Sequence, residues 1–310
     1  MLKELFEISG HFERLCKTIA YSNVLPREKI KNLYHRIFQN KGKTTEIIPN
    51  AINDIYDYIK GLGINKGDIL IVHSSMEGLK NAGVEPEEII DFLLDLVGES
   101  GTLVIPTFPI QNLKYDPNKE IIYNPKRSLC WTGMIPNKFL KYPGVVRSSF
   151  PYNSLAALGS EAELMMSNNL EGDTPHGKNS SWYFCITHHA KILYLGVNIA
   201  ECNTMLHVVE DYYDNEWPIK NWYETQNYSI KIGNEIIKKS IRVCDGKWVK
   251  YNICYNYNGK LKKAGLMNES TIDGVIVGYT PDSYSVFKKM LDEVKQGKIR
   301  YLIPKKYWKR

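Results

Sequence analysis

Three short, almost wholly apolar runs set the strongest limit on how this 310-residue chain can fold. They are "ILIVH" at 69–73, "TLVIP" at 102–106 and "KILYLG" at 191–196. A run of about four to eight apolar residues bounded by turn signals reads as a strand buried on both faces. Between the first two runs lies "EPEEIIDFLLDLVG", which opens with acids and then repeats apolar residues at helical spacing. Strand, helix, strand in this order predicts an α/β fold, an α/β/α layered core with a largely parallel central sheet. After residue 220 the texture changes. "NYSIKIGNEIIKKSIRVCDGKWVKYNICYNYNGK" alternates apolar and polar residues around "GN", "DG" and "NG", which predicts an antiparallel β insert in the C-terminal third.

Residues 1–45 show two amphipathic helical patterns, the second being "PREKIKNLYHRIF". They are expected to form an N-terminal helical extension, and 46–310 the main domain. Hydrophobic residues make up 43% and charged residues 24%, ordinary globular usage that argues against disorder. The net charge of +6 sets 40 basic against 34 acidic residues, a balance that suits an anionic small molecule better than nucleic acid. Six cysteines at 16, 130, 185, 202, 244 and 254 form no C-x-x-C pair, so neither a disulfide framework nor a metal site is expected. The N-terminus does not read as a signal peptide and no apolar run approaches membrane-spanning length. A soluble, reduced, cytoplasmic protein without nucleic-acid or membrane partners is expected.

Four stretches could carry chemistry. "VHSSMEGL" places His73, Ser74 and Ser75 at the C-terminal end of a predicted strand, where ligands of open α/β sheets bind. The two hydroxyls serve equally well as caps of the next helix. Thr107 follows the second strand and would either hold a turn or lie near His73. "GDTPHGKNSSWYF" carries Gly177 and Ser180 in a loop that could let a ligand approach, or that simply starts a helix. In "NTMLHVVED", His207 and Glu210 fall one helical turn apart on one face. A carboxylate there can hold an imidazole in one tautomer and support it once protonated. The plainer reading is a histidine bonded within the core. G-x-S-x-G, Walker and G-x-G-x-x-G patterns are absent. Cys202 is a conceivable nucleophile, but its apolar surroundings suggest packing.

In this order the stretches resemble the aminoglycoside 3-N-acetyltransferase family, which is unrelated to the GCN5-type fold. "VHSSMEGL" and "VGESGTLVIPTF" follow the family's H-[ST]-S-[ML] and G-x-x-G-T-L-V-x-P-T patterns. "RSSFPYNSLAALG", "DTPHGKNSSW" and "YLGVNIAECNTMLHVVE" are similar to three further family stretches, the likeness running over roughly residues 48–300. The resemblance implies an acyltransferase with acetyl-CoA as co-substrate and no metal. It makes His207 the base for an acceptor amine, with Glu210 orienting it. His73, Ser74, Ser75 and Thr107, and less directly Gly177 and Ser180, would hold the CoA, and Thr107 or Thr204 would donate to the oxyanion. The family often has histidine where Phe150 stands, in a loop with Tyr152 that would border the acceptor. Glu210, Asp211, Asp214 and Glu216 of "EDYYDNEW" could line a cleft for a polycationic aminoglycoside, or form a solvated face. With 21 tyrosines, a nucleotide-linked amino sugar is an alternative acceptor. A non-catalytic protein that kept the fold and binds a nucleotide or glycan is the other reading.

Overall fold

The computed structural model describes residues 2–21, 47–113 and 115–309. The strands of its main sheet are β1 (Ile69–Ser74), β2 (Thr102–Pro106), β4 (Val146–Arg147), β5 (Leu155–Gly159), β6 (Lys191–Leu195), β9 (Asn268–Ile272) and β10 (Val275–Thr280). A smaller sheet takes β3 (Ile122–Tyr123), β7 (Tyr223–Ile232) and β8 (Glu235–Cys244). The seven strands of the main sheet lie in the order β4-β5-β2-β1-β6-β10-β9. The three apolar runs are its centre: β1 pairs in parallel with β2 and with β6, placing His73 opposite Tyr194. The flanking strands β5, β4, β10 and β9 pair antiparallel. The expected α/β architecture therefore holds, with its parallel pairing confined to the three middle strands. The turn at Asp273–Gly274, both at positive φ, closes β9–β10 into a hairpin, and hairpin neighbours must be antiparallel.

Alternation along the central strands explains why they read as unbroken apolar runs. Ile69, Ile71, Val104, Ile192 and Tyr194 enter one core, while Leu70, Val72, Leu103, Ile105, Leu193 and Leu195 enter the other. Helices cover both faces. The helix Ala51–Lys60 buries Ala51, Ile55 and Ile59 at i, i+4 spacing. The helix Pro86–Val97 begins on a proline, carries Glu87 and Glu88 in its first turn and stops at Gly98. The opposite face is covered by the helices Ser181–Thr187, Val208–Tyr213, Cys254–Lys263 and Ser283–Lys295.

The expected antiparallel insert exists, but is shorter than the sequence suggests. β7 and β8 form a hairpin turning at Gly233, and β3 adds to β7 in parallel. Residues 246–260, expected as further hairpin, fall instead in the 3₁₀ turn Gly246–Tyr251 and the helix Cys254–Lys263. Tyrosines buried at 255 and 257 satisfy a two-residue alternation, but they also share this helix with buried Leu261, so local pattern does not decide.

A long-range contact does. Two helices, Leu2–Ile8 and Gly10–Tyr21, pack beside Cys254–Lys263, whose cap residue Ile253 makes no side-chain hydrogen bond to it. Glu13, fully buried, supplies one: its Oε1 accepts from Tyr255 N at 3.2 Å and its Oε2 from Asn256 N at 2.9 Å. Lys17 neutralises that carboxylate at 2.8 Å and donates to Asn252 O at 2.6 Å. The second N-terminal pattern, residues 26–38, lies outside the described residues. Glu13→Ala strips two amide donors and one part-buried ammonium of their acceptor. It is expected to lower unfolding stability by about 2–4 kcal/mol, read as a shift of the urea midpoint.

Candidate active site

A cleft of about 620 Å³ opens at the carboxyl ends of β1, β2 and β6. His73, Ser74 and Ser75 line one side, Phe108, Trp131 and Thr132 another, and Val197, Cys202 and Thr204 the third. A Cβ at Gly78 would lie 1.9 Å from Gly196 O, so the turn after β1 and the turn after β6 can meet only with glycine there. Ser75 is the cap of the short helix Met76–Leu79, accepting from Gly78 N at 3.3 Å. Among the described residues, Ser74 Oγ and His73 Nε2 find no hydrogen-bond partner. The His73 ring is buried and stacked on Tyr194 at 5.3 Å, and burial pushes its pKa down to about 3, so it stays neutral.

The 3₁₀ turn Thr204–His207 carries the cleft wall directly into a second feature. His207 leaves 32% of its side chain open, while its Nδ1 edge faces Glu210 Oε2 at 3.0 Å, as the i, i+3 spacing predicts. Glu210 is almost wholly buried, and Arg300 Nη2 and Tyr301 OH both donate to its Oε1, at 2.6 and 2.7 Å. Arg300 Nη2 also approaches His207 Nδ1 at 2.9 Å. Burial alone would raise the Glu210 pKa, but the Arg300 charge and then His207 outweigh it and hold the carboxyl down to about 2. Burial lowers the His207 pKa, Glu210 pulls it up, and Arg300 pushes it down again, with a net lowering.

A second histidine–carboxylate pair lies against the first. Asp211 Oδ2 accepts from His176 N at 2.9 Å and sits 3.0 Å from His176 Nδ1, while Tyr223 OH donates to Asp211 Oδ1 at 3.0 Å. Asn153 Nδ2 faces His176 Nε2 at 3.2 Å, and the His176 and His207 rings stack at 5.5 Å. The contacts continue to Trp182 at 6.0 Å from His176, and from Trp182 to His73 at 6.2 Å. One row of rings thus links His207 to the strand end at His73.

Other expected residues lie elsewhere. Thr107 is fully buried: its hydroxyl donates to Ser154 O at 3.3 Å and accepts from Arg147 Nε at 3.1 Å, so it holds a turn and is not on the cleft wall. Ser180 caps the helix Ser181–Thr187 through Tyr183 N at 3.1 Å. Gly177 packs against Thr174, whose Oγ1 would lie 2.4 Å from a Cβ there. Phe150 is buried under the small sheet with Tyr123, Tyr228 and Ile230, and Tyr152 packs beside it. Asp214 is bound by Arg242 Nη1 at 2.6 Å, and Asp173 takes the other side of the same guanidinium. Cys202 lines the cleft, but burial pushes its thiol far up, away from the thiolate a nucleophile needs. Among the described residues no cluster of three or more His, Cys, Asp or Glu could hold a metal ion, and no helix is long and apolar enough to cross a membrane.

The sequence reading missed His176, Arg300 and Tyr301. His176 stood in a stretch already singled out, with Asp211 immediately after Glu210. Arg300 and Tyr301 are about ninety positions from their partner, and no local pattern marks them.

The family model for aminoglycoside 3-N-acetyltransferase matches residues 71–278, about two thirds of the chain. The chain belongs to that family. It is 30% identical over 170 residues to aminoglycoside N(3)-acetyltransferase IX of Micromonospora chalcea, covering 48% of this chain and 57% of that protein. It is 29% identical over 173 residues to aminoglycoside N(3)-acetyltransferase VII of Streptomyces paromomycinus, covering 49% and 57%. The match thus spans little more than half the length of these relatives. Among solved structures, the apoenzyme of aminoglycoside acetyltransferase AAC(3)-IVa superposes with TM-score 0.66 at 22% identity over 86% of this chain and 95% of its own. The binary complex of AAC-IIIb with CoASH gives 0.66 at 20% identity over 81% and 97%. At these identities the superpositions establish the shared fold.

The depressed Glu210 pKa has a stability consequence. The carboxyl ionises near 4.5 when unfolded and near 2 when folded, so its contribution is complete above about pH 4.5 and is lost as pH falls towards 2. The difference corresponds to about 3 kcal/mol across that window. Urea unfolding between pH 5 and 2, run on the parent and on Glu210→Gln, should show a shallower decline in the variant.

Proposed function

We propose that this protein is a CoA-dependent N-acetyltransferase that moves an acetyl group from acetyl-CoA to an amino group of an amino sugar, directly within a ternary complex. One observation carries the reading. A histidine–carboxylate pair, His207–Glu210, begins on the same 3₁₀ turn as Thr204, which lines a cleft shared with the strand end His73–Ser75. Family membership supports it, as do complexes of related folds, that of AAC-IIIb with CoASH and that of an AAC(3)-IVa variant with apramycin.

The steps follow from proton bookkeeping. An amino-sugar amine is protonated at neutral pH and has no lone pair to offer. His207, neutral and with its ring partly open, accepts that proton while Glu210 steadies the resulting imidazolium. The freed amine attacks the thioester carbonyl carbon, the tetrahedral intermediate collapses as the C–S bond breaks, the imidazolium gives its proton to the CoA thiolate, and the second proton lost by the nitrogen as it becomes an amide leaves to solvent. The unpartnered Ser74 hydroxyl and the apolar walls at Phe108 and Trp131 suit a polar thioester on an apolar pantetheine arm. Burial of Cys202 as a neutral thiol favours direct transfer over an acyl-cysteine intermediate.

The charges around the site bear on the acceptor. Arg242 binds both Asp173 and Asp214, and Asp211 is hydrogen-bonded to His176 and Tyr223, so these three carboxylates are held in place but offset by one permanent cation. The surplus of negative charge suits a cationic amino sugar such as an aminoglycoside; a nucleotide-linked amino sugar, itself an anion, is the second acceptor class to test.

His207→Ala is expected to lower kcat by about 10²- to 10⁴-fold while acetyl-CoA binding, read by calorimetry, stays within a few-fold. Near-normal turnover in that variant would remove His207 as the base. Free-thiol release from acetyl-CoA, measured against aminoglycosides and against nucleotide-linked amino sugars, decides the acceptor. Turnover with the nucleotide-linked compounds alone supports the second class, turnover with aminoglycosides supports the polycation, and silence with both points to a binding protein that kept the fold.

A further inference from the structure

The Nδ1 edge of His207 faces two opposite fixed charges at nearly equal distance: Glu210 Oε2 at 3.0 Å and Arg300 Nη2 at 2.9 Å. Arg300 stays protonated at any accessible pH, so Nη2 is always a donor. Nδ1 offers one in-plane position, which holds either a proton aimed at the carboxylate or a lone pair aimed at the guanidinium. A carboxylate alone on this edge would hold a proton on His207, and an imidazole already protonated cannot take one from an amine. Arg300 changes that balance, because it also lies 2.6 Å from Glu210 Oε1 and offsets the charge that would otherwise fix the imidazolium.

We propose that Arg300 is a positioning residue for the transfer step: by pairing with Glu210 it lets the carboxylate orient His207 while leaving the ring neutral and ready to accept a proton. The proposal rests on the reading of His207 as the base. The other titratable groups around His207 are its stacking partner His176 with Asp211 behind it, Tyr301 on Glu210, Tyr223 on Asp211, and the Cys244 thiol near Glu210. Of these and Arg300, only Arg300 is a permanent cation. Burial is the largest cause of the net lowering of the His207 pKa; Glu210 pulls it up and Arg300 opposes Glu210.

Arg300 lies beyond the family-matched stretch 71–278, and both ends of the chain converge to place it. Its Nη1 donates to Asn252 Oδ1 at 3.0 Å, its carbonyl accepts from Ile253 N at 3.1 Å, and Asn252 pairs with Tyr301 in a β-bridge. Lys17, from the N-terminal helices, donates to the Asn252 carbonyl. The segment that holds Arg300 is thus the one those helices brace.

The test is titration of the His207 imidazole by NMR in the full-length protein, alongside the pH profile of kcat/KM. Arg300→Gln is expected to raise the His207 pKa by about 1–3 pH units and to move the acid limb of the profile up with it, while Arg300→Lys restores most of the difference. Glu210→Gln is expected to shift the pKa the opposite way. The double variant Arg300→Gln/Glu210→Gln, which carries no charge at either position, is expected to keep it near the parent value. An unchanged or lowered pKa in Arg300→Gln overturns the proposal. So does a double-variant value more than about one pH unit below the parent, since the carboxylate would then outweigh Arg300. The base reading stands or falls separately: His207→Asn that keeps turnover removes it and leaves the titrations intact.

Discussion

The ion pair between Glu210 and Arg300 is the interaction on which the rest of the site depends. Both side chains are out of water, 1% and 3% exposed, and each would be strongly destabilising alone. Burial of such a pair costs less the more of its remaining donors and acceptors are satisfied. Tyr301 and His207 complete Glu210, and Asn252 takes a further donor of Arg300, whose Nε alone finds no partner among the described residues. The chain must therefore bring residues near 207, 252 and 300 together before the pair can form. That requirement links the helix after the cleft, the loop before Cys254–Lys263 and the C-terminal tail into one unit. The N-terminal helices join it by capping that same helix through Glu13.

The parts of the protein that follow from local periodicity could be read from the sequence, and those built by distant partners could not. The three apolar runs became the three central strands because burial on both faces leaves no room for polar residues. His207 and Glu210 meet because i, i+3 spacing brings them together on consecutive turns, whatever the rest of the fold does. Residues 246–260 defeated the same approach: tyrosine counts as apolar or polar, so its positions fit alternation as well as a helix, and the deciding carboxylate of Glu13 is 242 residues away from Tyr255. Thr107 follows a strand end as expected, yet Arg147 and Ser154 occupy its hydroxyl, and neither partner is legible from position 107. Arg300 has no local signature at all.

The ring row from His207 through His176 and Trp182 to His73 explains how two separately built features keep a fixed spacing. His73 belongs to the sheet, and His207 to a 3₁₀ turn on a loop. Trp182 between them is fully buried and tethered by its indole N–H to Asn153 O at 2.8 Å. Asn153 also faces His176, so one residue locks two neighbouring rings of the row. Group transfer between two bound molecules depends on holding the reacting atoms within a few tenths of an ångström, and aromatic packing against a sheet is stiffer than a loop alone. His176 and Asp211 gain a structural reason for being where they are: a hydrogen-bonded ring fills the gap beside His207, with a carboxylate behind it to balance any charge it takes up.

Charge placement separates the chemistry from recognition. Near His207 the carboxylates are either buried and paired, as with Glu210 and Asp211, or bound by Arg242, as with Asp173 and Asp214. Hydrogen-bond partners fix these carboxylates without cancelling them: four carboxylates face the two guanidiniums of Arg242 and Arg300, which leaves a surplus of negative charge around the site. A free acid next to His207 would raise the proton affinity of the imidazole, which under the proposed mechanism would slow the transfer step. The uncompensated charge belongs instead to Asp211, behind His176, and to the Arg242 cluster, so it can draw a cationic acceptor without adding a free carboxylate to the His207 ring.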